Sequence, residues 1–249
     1  MRRLTRPALE RVLAGHLDRL QRMVDEGADV EALWRAERRK TLMVRIARVL
    51  ASVAGARQRC MYCDDSRGTD IEHFWPRRYR DRVFLWLNLL WVCAACNRCK
   101  SHRFPCDSAG LPLLIDPTAE DPWCFLFYDS RTDEITARWD GETGQELAKG
   151  KETVAILATL RHEAVTEGRR RARLGLQRTV AAFLKDMREE IRAGAREEAA
   201  EALLANLAAQ GDHGVAQWFF LHDGREEVPF STLRQSFPEL WARIVASLS

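Results

Sequence analysis

The chain has 249 residues, with 39 Lys/Arg against 36 Asp/Glu and a net charge of +3, a balance that by itself marks no class of partner. The length suffices for one sizeable core, while the longest apolar run, at residues 84–95, is too short to span a bilayer and carries Asn88. The Met-Arg-Arg start lacks the apolar region of a signal peptide, so a cytoplasmic, reducing setting is expected for the seven cysteines.

Residues 8–26 read as a helix, with Leu9, Val12, Leu13, Leu17, Leu20 and Val24 at three- and four-residue spacing and Gly27 placed to stop it. Asp29 suits the cap of a second helix running to about residue 53, with Leu33, Trp34, Leu42, Ile46, Val49, Leu50 and Val53 inward. The polar run at 35–40 interrupts that stripe and reads as an exposed face in preference to a nucleic-acid patch. Gly55 then hands the chain to a cysteine-rich stretch. Within it, residues 70–74 and 87–92 read as strands, and a helix begins near Ala94 and carries Cys96, Asn97 and Lys100. Residues 107–121, rich in Pro, Gly and Asp, read as an ordered surface loop. Residues 123–128 and 134–139 read as the strands of a hairpin.

Beyond Gly144 the pattern is helical. Val154, Leu157 and Leu160 mark one helix, and Leu176, Val180, Phe183, Leu184, Met187 and Ile191 another. The Ala/Glu-rich stretch at 193–210 is helical but short of bulky apolar residues. Ser236-Phe237-Pro238-Glu239 has the form of a capping box, ahead of Trp241, Ile244, Val245 and Leu248.

The stretch 57–105 holds the chemistry. It carries ten Arg/Lys against five Asp/Glu, a local +5 that exceeds the charge of the whole chain. Cys60/Cys63 and Cys93/Cys96 are Cys-x2-Cys pairs, and four thiolates can hold a tetrahedral zinc; Cys96/Cys99 has the same spacing and leaves a second register open. Between the pairs lies Glu72-His73, a carboxylate beside an imidazole on a strand. With an Asn on the following helix it can build an open site for a hard cation such as Mg²⁺. His73, with an ordinary value near ~6.5, suits a general base. Asp70, two residues before Glu72 on the same strand face, is a reserve ligand. Arg77, Arg78, Lys100 and Arg103 are the candidate phosphate contacts. His102 is a weaker rival to His73 for want of an adjacent carboxylate. The cluster Arg161, His162, Arg169, Arg170 and Arg171 reads as a solvated helix face, and His16, His213 and His222 have no metal spacing.

The order Cys-x2-Cys, Glu-His-Phe-x-Pro, Trp-x-Asn-Leu-Leu, Cys-x2-Cys-Asn-x2-Lys resembles the HNH (His-Asn-His) endonucleases. Further along, Arg103-Phe104-Pro105, Leu114-Ile115-Asp116-Pro117, Glu120-Asp121-Pro122, a hairpin and an Arg-rich helix look like the nuclease subunit of Septu-type and retron-associated anti-phage systems. The resemblance implies an α+β fold, with a zinc-stapled ββα core between N-terminal and C-terminal helices. It implies a structural zinc on Cys60, Cys63, Cys93 and Cys96, a catalytic Mg or Mn on Glu72 and Asn97, and His73 as the base. Asn88 would hydrogen-bond the loop that aims His73. Family members often carry Asp at the place of Glu72 and His at that of Asn97, which leaves the metal open. The segments are then 1–56, 57–106, 107–144 and 145–249, read as one compact domain. The implied function is cleavage of nucleic acid, double-stranded DNA foremost, beside an ATPase partner. The eight Trp are read as interface aromatics, aromatic residues being enriched there. The rival is a non-catalytic zinc module that binds nucleic acid or protein.

Overall fold

In the computed structural model, which describes residues 1–187, 193–209 and 214–248, the chain is α+β. Its residues gather into two compact units, where the sequence suggests one domain. The first takes in Arg3–Phe127 and Ile135–His162, and the second Tyr128–Glu134 together with the chain from Glu163 onward.

In the first unit, α1 (Arg11–Asp25) buries Leu13, Leu17, Leu20 and Val24, and Gly27 at φ +105° takes the left-handed turn that ends it. Val12, expected inward, is 56% exposed, because it lies one residue off that stripe and so about 100° round the helix. The side chain of Asp29 accepts from the Ala32 N–H at 2.6 Å and starts α2 (Val30–Glu37). The continuous helix expected to residue 53 is broken. Lys40 is extended, and its backbone N–H and its Nζ both donate back to Glu37, so α3 (Thr41–Val53) is a separate helix. The run at 35–40 has no bulky apolar side chain to hold one straight helix on the core. Each piece therefore aims its own stripe, Trp34 from α2 and Met43, Ile46 and Leu50 from α3.

Strand β1 (Asp70–His73) pairs antiparallel with β2 (Leu89–Val92), Asp70 opposite Val92 and His73 opposite Leu89. The helix α4 (Ala94–Lys100) follows at once, with Cys93 as its cap. Gly68 is required where the chain enters β1, since a Cβ there would sit 2.3 Å from the Trp91 ring. The expected surface loop at 107–121 threads the core at its centre: Leu114 and Ile115 are fully buried, and the Ile115 N–H donates to the Thr153 hydroxyl at 3.0 Å. The N-terminal residues close over the same region, with Leu4 N–H donating to the Pro117 carbonyl and Arg6 donating to Thr118 and the Trp86 carbonyl.

The hairpin is β3 (Leu126–Asp129) with β4 (Glu134–Ala137). It starts later than expected because Asp121 accepts from the Trp123 N–H and curls Pro122–Cys124 into a 3-10 turn. A two-residue ladder, β5 (Trp139–Asp140) with β6 (Gln145–Glu146), leads to α5 (Ala148–Ile156) and a 3-10 turn at Ala158–Arg161.

The second unit contains α6 (Glu163–Asp186), α7 (Ala193–Ala209), α8 (Val215–Leu221), α9 (Phe230–Ser236) and α10 (Pro238–Leu248). Its core holds Leu176, Val180, Phe183, Trp218, Phe219, Phe220, Phe230 and Leu233. Ser236 ends α9 and the Phe237 N–H donates to Leu233, so the Ser-x-x-Glu sequence is not the cap of α10; Pro238 is its first residue, where no N–H is needed. Ile191, Gln210 and His213 lie outside the described residues. The eight Trp are mostly spent inside: Trp34, Trp123, Trp218 and Trp241 are buried and Trp139 alone is exposed, at 64%. No helix among the described residues is long and apolar enough to cross a membrane.

Candidate metal centre and adjoining cleft

The turn before β1 brings Cys60 and Cys63 against Cys93 and Cys96 at the start of α4. All four are buried, and their sulfurs lie within 4.8 Å of one another. Cys63 and Cys93 are 4.0 Å apart, so none of this is a disulfide, and all seven cysteines are free thiols. A tetrahedral zinc with bonds of about 2.3 Å needs sulfurs about 3.8 Å apart, and the cluster fits that ion. The sulfurs act on each other strongly. Hydrogen bonds from the other three pull Cys93 far below a free thiol, Cys63 is drawn to about 7, and burial pushes Cys60 up. A dication relieves this crowding by holding all four as thiolates. Around the sulfurs, the Cys96 N–H donates to Cys93 at 3.4 Å, and Cys96 shares a hydrogen bond with the Thr159 hydroxyl at 3.0 Å. Cys99 is half-buried outside the cluster.

Beside the cysteines opens a cleft of about 1090 Å³, formed by α2, the α2–α3 break, β1 and α4. Its lining includes Glu72, His73, Asn97, Asp70, Arg77, Arg78 and His102. His73, the last residue of β1, is 3% exposed. Its Nε2 is buried without a hydrogen-bond partner, and the Val83 backbone favours the charged form of the ring only weakly. Burial, with the charges of Arg77 and Lys100, lowers it to about 3, so the imidazole is neutral. The Trp34 ring meets it edge-on at 4.5 Å. Asn88 holds the loop that carries Val83: its Oδ1 accepts from the Trp75 N–H at 2.7 Å, and its Nδ2 donates to the Trp75 and Arg82 carbonyls.

Glu72 is bound from within. Lys100 Nζ donates to Glu72 Oε1 at 2.6 Å and to the His73 carbonyl at 2.7 Å, and Lys100 is fully buried. Burial raises Glu72 and lowers Lys100, while each charge opposes the shift of the other. Lys100 is therefore not a phosphate contact, contrary to the sequence expectation: its ammonium faces the protein interior. Asn97, half-buried on α4, lines the cleft, and its side chain makes no hydrogen bond among the described residues. Glu72 and Asn97 make a sparse set for Mg²⁺, since Lys100 already balances the carboxylate. Apart from the four cysteines, no cluster of three or more His, Cys, Asp or Glu with metal-binding geometry occurs among the described residues.

The other expected phosphate contacts are partly committed. Arg77 makes a bidentate pair with Glu31, at 2.8 and 3.0 Å. Arg78 donates to the His102 carbonyl and lies over the Tyr79 ring, and Arg103 donates to the Cys99 and Ile156 carbonyls. The Arg-rich cluster of α6 divides. Arg170 and Arg171 pair with Glu167, whereas Arg169 is buried and donates to the Asp133 carbonyl. His16 is buried 3.8 Å from Glu37. Arg38 and Arg39, in the run for which an exposed face was preferred to a nucleic-acid patch, line the cleft from the α2–α3 break. The interruption of the apolar stripe at 35–40 was the signal for that break.

Fold and site together define an α+β chain with a buried four-cysteine cluster able to hold zinc, next to an arginine-lined cleft. Compared with known proteins, it matches no family model, no curated protein and no solved structure.

Proposed function

We propose that this chain is a metal-dependent HNH endonuclease that hydrolyses phosphodiester bonds of nucleic acid, foremost double-stranded DNA. The observation that carries the reading is His73: a neutral imidazole at the end of the first strand of a ββα unit, lining the cleft with its Nε2 unpartnered. Such a group takes a proton from water attacking phosphorus. Asn88 fixes the loop from Trp75 to Arg82 that leads to Val83 beside the ring. Lys100 orients Glu72 through Oε1. Glu72 and Asn97 would hold a Mg²⁺ or Mn²⁺ ion together with the phosphate of the substrate. That ion would supply charge for the non-bridging and leaving oxygens. The zinc would hold α4 on the turn before β1 and so keep Asn97 near Glu72.

Within this reading the chain is the nuclease of an anti-phage system and works beside an ATPase. The support is the resemblance in sequence; the tryptophans lend little, four being buried and only Trp139 exposed. The test incubates the purified chain with plasmid in Mg²⁺, in Mn²⁺ and in chelator, alone and co-expressed with its genomic neighbours with and without ATP. His73→Ala should lose about 10²-fold or more in cleavage while keeping zinc. A second reading, a zinc module that binds nucleic acid without cutting it, is favoured by Lys100 occupying Glu72 and Trp34 covering His73. Binding without cleavage under every metal condition selects it.

A further inference from the structure

The cleft that carries His73 is lined by six arginines, Arg38, Arg39, Arg77, Arg78, Arg80 and Arg98, and four carboxylates, Asp29, Glu31, Asp70 and Glu72. The carboxylates are largely spent on the protein itself. Asp29 caps α2, Glu31 pairs with Arg77, Glu72 pairs with Lys100, and Asp70 accepts from Thr69 at 3.2 Å. Three of the arginines are spent too. Arg77 is held by Glu31, Arg78 by the His102 carbonyl, and Arg80 donates to the Val24 and Ala28 carbonyls at the end of α1.

Arg38, Arg39 and Arg98 remain. Their side chains are exposed, line the same cleft and have no hydrogen-bond or ion-pair partner among the described residues. Two of them stand where α2 and α3 part. Had residues 29–53 stayed one helix, successive positions 38 and 39 would project about 100° apart round its axis. The break instead puts both into the lining. Uncommitted guanidinium groups around a neutral imidazole match a chain of anionic diesters: each offers a planar fork of donors to phosphate oxygens without reading bases.

We propose that the α2–α3 break is a phosphate-gripping wall, in which Arg38 and Arg39, with Arg98 of α4, bind the backbone of the nucleic acid presented to His73. The proposal rests on the nuclease reading for its substrate class. It moves the phosphate contacts away from Lys100 and Arg103 to residues the motif does not contain. Recognition through this wall is independent of sequence and depends steeply on salt.

The experiment measures binding of the full-length, zinc-loaded chain to a labelled 30-mer as duplex DNA, as single-stranded DNA and as RNA. It is run without added Mg²⁺ or Mn²⁺ over a salt series, with plasmid cleavage assayed in parallel. Arg38→Ala/Arg39→Ala/Arg98→Ala should lose on the order of 10²-fold in affinity near 0.1 M salt. The slope of log K against log salt should fall by about 2.7 on duplex, about 0.9 per lost phosphate contact. The three probes show which backbone is preferred. Arg170→Ala/Arg171→Ala, on α6 and outside this cleft, should bind as the parent does. All five side chains are exposed, so these variants keep the core. A triple variant with parental affinity and slope overturns the proposal, and if it still cuts plasmid the nuclease reading stands. A parent that binds none of the probes overturns it as well, and the cleavage lane then decides whether the nuclease reading falls with it.

Discussion

Replacing Lys100 with Met should expose how much of the first unit hangs on one buried ammonium. Lys100 is 0% exposed and the Glu72 side chain 11%, and the two bonds Nζ makes, at 2.6 and 2.7 Å, are both to groups inside the fold. Met keeps most of the volume and removes the charge. Glu72 then has two ways to respond. It can stay ionised without its partner, which for a buried pair costs about 3–5 kcal/mol. Or it can take a proton, which at pH 7 costs about 3.7 kcal/mol from an unfolded value near 4.3. The second route caps the first, so a loss of about 4 kcal/mol is expected at pH 7. Burial already raises Glu72 against the pull of Lys100, and without Lys100 it rises further. A carboxyl raised in the folded state loses stability as pH climbs. The penalty should therefore shrink to about 1 kcal/mol for this group near pH 5. Urea unfolding of the zinc-loaded protein at both pH values, followed by tryptophan emission, measures this. Glu72→Gln/Lys100→Met should recover most of the loss, because an amide needs no counter-charge. A loss under about 1 kcal/mol at pH 7, or a double variant no better than the single one, would refute the reasoning.

Zinc content should be about one per chain by elemental analysis of protein purified without added metal, lost in Cys96→Ser and kept in Cys99→Ser; a folded protein free of metal ends that expectation. His73, lowered to about 3 by burial, contributes stability above its unfolded value near 6.5 that is lost as pH falls from there toward 3. Between pH 7.5 and 5.0 the parent should lose about 2 kcal/mol more than His73→Gln, and equal losses would show that the ring protonates freely. Asn88→Ala strands the Trp75 N–H and frees the loop to Arg82, so it should cost about 2–3 kcal/mol and lower plasmid cutting; unchanged urea midpoint and cutting together would remove Asn88 from the site.

What the sequence disclosed is local. Two Cys-x2-Cys pairs and the glycines at 27 and 55 act within a few residues, and the cysteines and the start of α4 fall where those signals put them. What it hid depends on distant partners. Nothing near Lys100 announces burial, because its carboxylate lies 28 residues earlier on a strand. The short helix α8 is buried on nearly every side, so Val215–Leu221 shows no amphipathic period to read. Leu114 and Ile115 sit in a stretch of turn formers, and only the Thr153 hydroxyl, far along the chain, gives their backbone a reason to run inside. The polar run at 35–40 looked like the outside of one helix, and it is the point where two helices part.

The hydrogen bond between Cys96 and Thr159 spans 63 residues, and it sets an order of events during synthesis. All four cysteines have left the ribosome once Cys96 has. The hydroxyl that finishes their surroundings arrives about 3–13 s later at ordinary rates of elongation. Until then Cys96 lacks this hydrogen bond. A fragment cut at residue 105 would keep all four cysteines and lack that hydroxyl.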